Sequence, residues 1–270
     1  MKISVWSSYY YDLSPEDMVL EFKAHGFNAC ELSDEHSHML LRRGDAATVG
    51  AEFAKFLSEQ DFEISQGHLF LGERLCDSEG RKKIKRQIDL FLAVGVKNAV
   101  LHCDSHSFDG MGYTLDMIRE ENCKALSDIL DYVKGTDTVI CLENLITSEI
   151  VKSVDGILYF IDHFKSENLG ICLDTGHLNM NDKDQVSFIR KAGKLLKALH
   201  LNDNQGSSDQ HLMPYGKGTI NFVPVIQEVK KLGYDGLYNL EIPGENGGPL
   251  EIRGYKLDYL KKMMEYLDRQ

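Results

Sequence analysis

Short apolar runs of four to seven residues alternate with longer stretches of helical periodicity along the whole chain, and the pair repeats eight times. The strand-like runs are Ile3–Trp6, Phe27–Leu32, Glu63–Leu69, Lys97–His102, Thr138–Asn144, Leu169–Asp174, Ala198–Leu201 and Leu237–Ile242. Between them lie helical patterns, among them Val49–Glu59, Glu79–Val94, Leu115–Val133, Ser153–Phe164, Gln185–Leu196 and Phe222–Lys231, and Leu250–Leu267 closes the series. The first helix carries its own start signal, Ser14-Pro15-Glu16-Asp17: a capping hydroxyl, a proline that needs no donor, and acids at the positive helix end. Strand and helix in strict alternation imply parallel strands, and eight units close without leaving an exposed edge. The expected fold is α/β, a single-domain (β/α)8 barrel over residues 1–270. An open doubly wound sheet would show a Gly-x-Gly-x-x-Gly turn after an early strand, and the sequence has none.

A length of 270 residues allows either one large barrel or two smaller domains, and no linker or low-complexity tract divides this one. The net charge of −12 favours cation binding and solubility and speaks against a general coating of nucleic acid. The basic face at Arg81, Lys82, Lys83, Lys85 and Arg86 reads as the solvated outside of a helix. Six cysteines are scattered without a Cys-x-x-Cys pair, as expected of small buried thiols in a reducing compartment. Met1–Trp6 reads as a strand rather than a signal peptide, and no apolar run reaches membrane-spanning length. A cytoplasmic protein with no membrane partner is therefore expected; its oligomeric state stays open, a homo-oligomer included.

The ends of the apolar runs carry ionisable groups where a buried strand should not. Asn168–Asn179 shows this best: Leu169–Leu173 is apolar, the run stops at Asp174, and His177 follows Gly176, which is expected to turn the backbone in a loop. The same pattern gives Glu31, His68, His102, Glu143, His200 and Glu241 at other strand ends. In a closed parallel barrel those ends meet at one mouth. Glu143, Asp174, His200 and Glu241 come from four consecutive strands, and three carboxylates with an imidazole suit one divalent ion such as Mn²⁺, Mg²⁺, Co²⁺ or Zn²⁺. The loop after the seventh strand adds Asp209-Gln210-His211, spaced for a second metal position. It also adds Gly216-Lys217-Gly218, whose N–H groups and ammonium could meet an anion.

Five segments together carry a resemblance: Cys141-Leu-Glu-Asn144, Leu173-Asp-Thr-Gly-His177, Leu199-His-Leu-Asn-Asp203, Asp209-Gln-His211 with Gly216-Lys-Gly218, and Leu240-Glu-Ile242. With His68 and His102 they resemble the xylose isomerase-like TIM barrels, a group that includes sugar isomerases and epimerases as well as endonuclease IV. On the sugar side the resemblance implies one divalent metal on Glu143, Asp174, His200 and Glu241, a small-molecule sugar, sugar-phosphate or hydroxy-ketone substrate, and proton transfer by the catalytic pair Glu143 and Glu241 through a metal-stabilised enediolate. His177, His68, His102, Trp6 and Lys217 are the expected substrate contacts. On the nuclease side it implies up to three Zn²⁺ ions, with His68, His102, His177, Asp209 and His211 as the further ligands, and hydrolysis of a phosphodiester in abasic DNA. Two departures stand out. Residues 200–211 hold no arginine, which ketose 3-epimerases of the group carry after the seventh strand, and only Arg42, Arg43 and Phe70 suggest a DNA-gripping loop.

Overall fold

The computed structural model describes residues 1–245 and 248–270. Eight parallel strands form one closed barrel in sequence order: β1 Lys2–Trp6, β2 Ala29–Leu32, β3 Glu63–His68, β4 Asn98–Leu101, β5 Val139–Glu143, β6 Leu169–Asp174, β7 Leu196–Leu201 and β8 Leu237–Leu240. Closure comes from β1 pairing with β8 in register from Lys2↔Leu237 to Val5↔Leu240, so no strand edge is left unpaired.

Around the barrel run α1 Pro15–Ala24, α2 Asp34–Leu41, α3 Ala46–Glu59, α4 Ser78–Val94, α5 Leu115–Val133, α6 Val154–Phe164, α7 Thr175–Met180, α8 Gln185–Ala192, α9 Phe222–Lys231 and α10 Leu250–Asp268. Their starts are set by local chemistry. Ser14, Ser33, Asp45, Asp77, Thr114 and Ser153 each accept a backbone N–H three residues on, worth roughly 1 kcal/mol apiece. The inner faces of the helices bury Phe22, Phe53, Phe91, Phe160 and Leu257 against the outward-facing strand residues. The basic face of α4 lies on the outside as expected, and four of its cations are paired with acids, Arg81 and Lys85 with Asp128, Lys82 with Glu79, and Lys83 with Glu73, while Arg86 donates to the Leu41 and Gly44 carbonyls.

Two connections differ from a simple reading of the sequence. The polar stretch after β2 forms the helix α2, because Ser33 caps it and Asp34 and Glu35 sit in its first turn, where the helix dipole favours acids. The helix expected to reach Leu196 ends at Ala192; a short 3-10 turn, Gly193–Leu195, follows, and Leu196 already belongs to β7.

Side chains alternate in and out along each strand, and the inward set divides the barrel interior into two unlike halves. On one side Val100, Cys141, Cys172 and Ala198 form a small apolar cluster of their own. On the other, Ser4, Glu31, Gln66 and Asn239 are all fully buried polar residues joined by hydrogen bonds. The carboxyl-end mouth opens above this interior.

Candidate metal centre and active site

Glu143 ends β5 at 1% exposure and lies at the centre of the mouth. Its Oε2 is 2.8 Å from His102 Nε2 and 3.3 Å from His68 Nε2; its Oε1 is 3.1 Å from His200 Nδ1 and 3.3 Å from His177 Nδ1. Burial works to raise the Glu143 carboxyl, but the imidazoles of His200 and His102 outweigh it and hold it well below the usual carboxylate range.

Asp174 closes β6 and caps α7 at once. Its Oδ1 accepts the His177 N–H at 2.6 Å, and its Oδ2 accepts from Asn202 Nδ2 at 2.6 Å. His177 is thus carried by the first turn of a short helix rather than by a loop, which fixes its approach to the mouth. Gly176 does not serve as a turn residue either: it sits in α7, where a Cβ would strike the Asn202 amide oxygen. Asn144 locks the same corner, its side chain donating to the Asp174 carbonyl and accepting the Asp174 N–H.

Glu241 lies one residue past the end of β8, since that strand stops at Leu240. Its Oε2 is 3.4 Å from His200 Nδ1 and 3.6 Å from His211 Nδ1. Burial pushes the Glu241 carboxyl up to about 8, with Asp174 and Glu143 adding to the rise against His200 and His211. Glu143, Asp174, His200 and Glu241 each present a ligand atom, all within 4.8 Å of one another, and all four are buried. Three carboxylates at that spacing, shut off from water, strongly repel one another unless a cation lies between them, so the donor set fits a divalent metal.

Two further clusters touch this one. His68, His102 and Glu143 meet on one side, and His177, Asp209 and His211 on the other, with Asp209 Oδ2 3.5 Å from His177 Nε2 and 3.2 Å from His211 Nε2. Above all three lies a pocket of about 430 Å³, lined by Trp6, His68, Leu71, His102, Glu143, His177, Asp209, Gln210, His211, Glu241 and Pro243. That is the size range of small-molecule sites. Trp6 enters it with its indole N–H unpartnered.

The family's model spans residues 19–268 under the description "xylose isomerase-like TIM barrel". The chain belongs to that family. Among its curated relatives is a D-psicose 3-epimerase of Enterocloster bolteae, 29% identical over 81% of this chain and 75% of that protein. A probable endonuclease 4 of Mycoplasmopsis pulmonis is 30% identical over 57% of this chain and 59% of that protein. The first curated relatives are matched over only 43% to 64% of their own lengths. A solved D-psicose 3-epimerase of Clostridium cellulolyticum H10, 16% identical, superposes with a TM-score of 0.81 over 99% of both chains, a likeness of fold.

In this xylose isomerase-like barrel every residue expected at the mouth is there except Glu31, which lies beneath it in the barrel interior, and Lys217. Lys217 is exposed and lies outside the pocket. The anion its glycine turn holds is the chain's own: Asp203 Oδ1 accepts the backbone N–H groups of Asn204, Thr219 and Ile220, and a Cβ at Gly218 would strike the same carboxylate. Residues the sequence did not single out are Asn144 and Asn202, which orient Asp174, and the Gln66 and Asn239 amides beneath the site. For Asn202, Gln66 and Asn239 the usable signal was parity, since alternation puts each on the inward face, whereas Asn144 follows the inward Glu143 at the opposite parity.

Proposed function

We propose that the protein is a divalent-metal-dependent isomerase or epimerase of a small, unphosphorylated sugar or related hydroxy-ketone. The observation that carries this is the convergence of Glu143, Asp174, His200 and Glu241 at the floor of a single-molecule pocket whose described lining contains no lysine or arginine. These four residues would hold one Mn²⁺, Mg²⁺, Co²⁺ or Zn²⁺ ion. When bound, such an ion draws electron density from a carbonyl oxygen and acidifies the neighbouring C–H bond.

The chain's own groups do the rest. One of the two glutamates, Glu143 or Glu241, removes the carbon-bound proton, and the bonding pair moves toward the carbonyl oxygen. A proton returned to the same carbon from the opposite face gives the epimer; returned to the neighbouring carbon, it gives the isomer. His177, fixed by the Asn144 carbonyl at 2.9 Å, directs its other nitrogen toward a substrate hydroxyl, while Trp6 packs on the apolar face of the substrate. His68 and His102 flank the reacting end beside Glu143. The relatives named as sugar 3-epimerases support this reading.

One observation favours a second reading, endonuclease IV-like hydrolysis of abasic DNA: the clusters beside the central one supply ligands for up to three Zn²⁺ ions. The acidic chain and the ion-paired Arg81, Lys82, Lys83 and Lys85 of α4 speak against a DNA-binding face. The two are separated by assaying the metal-loaded protein on a panel of free ketoses and on an abasic duplex. Ketose turnover without strand cleavage supports the proposal; cleavage without ketose turnover replaces it. A cytoplasmic setting is supported by six unpaired cysteines and by the lack, among described residues, of a helix able to cross a membrane.

A further inference from the structure

Four histidines at the mouth are oriented by two different devices. His68 Nδ1 is 2.7 Å from the Leu69 carbonyl, His177 Nδ1 is 2.9 Å from the Asn144 carbonyl, and His211 Nδ1 is 2.9 Å from the Glu241 carbonyl. A backbone carbonyl can only accept, so each of these rings donates from Nδ1 and turns Nε2 toward the carboxylates of the site. His200 is reversed. Its Nδ1 faces Glu143 and Glu241 at 3.1 and 3.4 Å, and its Nε2 points down into the barrel to Glu31 Oε1 at 3.0 Å.

Glu31 is fully buried on β2 and has no route to solvent. Its second oxygen accepts from Gln66 Nε2 at 3.1 Å and from Asn239 Nδ2, and the Asn239 amide oxygen in turn accepts from Ser4 Oγ at 3.0 Å. All the groups facing Glu31 in this network are donors, and the only one that can give up or keep a proton is His200. A carboxylate in that position holds a proton on Nε2, and when a cation takes the place of a second ring proton among Glu143, Asp174 and Glu241, Nδ1 is the nitrogen left to ligate it.

We propose that Glu31 is a positioning residue that fixes His200 as the Nε2–H tautomer, so that His200, unlike His68, His177 and His211, offers a metal its Nδ1 atom. This rests on the reading of Glu143, Asp174, His200 and Glu241 as a metal centre. It goes further by assigning a role to a residue that touches neither substrate nor ion, and by explaining why the barrel interior is polar on the β1, β2, β3 and β8 side only. Removing such a partner weakens metal binding by roughly 10- to 100-fold in comparable sites. Gln in place of Glu31 keeps the shape but loses the charge and turns one donor toward a neighbouring donor.

The test uses the full-length protein loaded with Zn²⁺ and labelled with ¹⁵N-histidine. Long-range ¹H–¹⁵N correlation spectra report, for each ring, which nitrogen carries a proton and which is ligated. The expected result is His200 protonated at Nε2 and ligated through Nδ1. In parallel, Zn²⁺ affinity by chelator competition is expected to fall about 10- to 100-fold in Glu31→Gln with an unchanged circular dichroism spectrum. Ligation of His200 through Nε2, or a folded Glu31→Gln with wild-type affinity, overturns the inference while the metal centre stands. If the wild-type protein binds no Zn²⁺, both readings fall.

Discussion

At the scale of single residues, Glu143 gathers four imidazoles within 3.3 Å, so a neutral group in its place removes the one charge that faces all four. Glu143→Gln and Glu241→Gln are each expected to cut kcat on the true sugar substrate by about 10²- to 10⁴-fold, as loss of a proton-transfer group does, with the far-ultraviolet circular dichroism unchanged. Steady-state kinetics at saturating metal checks this, and retention of full turnover by both variants would remove the proposed mechanism. Away from the mouth, His36 is fully buried on α2 with Nδ1 3.0 Å from Ser7 Oγ, and burial holds it down to about 4 from an ordinary 6.5. The unfolded chain takes up this proton before the folded one does. Stability is therefore complete above the unfolded value and is lost as pH falls from 6.5 towards 4, by up to about 3 kcal/mol. Urea unfolding of metal-free protein at pH 7 and pH 4 checks it: the wild type is expected to lose about that much more than His36→Asn, and equal losses would contradict it.

At the scale of elements, the alternation of apolar runs with amphipathic stretches identified all eight strands, because a parallel strand covered on both faces has to be apolar along its length. The ends were less legible. The strand expected to carry Glu241 stops at Leu240, and Gly176, which resembles a turn residue in sequence, is a close-packing residue under Asn202. Neither fact is local, since each depends on what the neighbouring strand places alongside. Lys217 shows the same limit, as a glycine-flanked lysine reads as an anion site until Asp203, fourteen residues earlier, is seen to occupy the turn. Glu31 was visible as a charged residue in a buried run, but its partner His200 is 169 positions away. Asp203 ties down the loop that brings in Asp209 and His211, accepting three backbone N–H groups. Asp203→Ala is expected to lower stability by about 1–3 kcal/mol and to raise KM for the sugar more than it lowers kcat. Thermal unfolding and steady-state kinetics check this; a wild-type KM would mean the loop does not shape the pocket.

At the scale of the whole molecule, the barrel places its charge asymmetrically: carboxylates and imidazoles gather at the mouth, while Arg81, Lys82, Lys83 and Lys85 of α4 are paired with acids on the outside. A phosphorylated sugar would bring a dianion into a pocket whose described walls include Glu143, Asp209 and Glu241 and no cationic lysine or arginine. Free ketoses are accordingly expected to exceed their phosphate esters in kcat/KM by tenfold or more, on the order of 1.4 kcal/mol in transition-state binding, and side-by-side kinetics would reveal the reverse if it held. The central claim is proton transfer at a carbon beside a carbonyl, carried out by two glutamates that share a cation. Its most direct measurement is proton NMR of free ketoses incubated with the metal-loaded protein in D₂O. Deuterium entering only at the carbon next to the carbonyl, and lost on chelation or in Glu143→Gln, is the predicted result; ketoses that keep every carbon-bound proton while an abasic duplex is cut would contradict it.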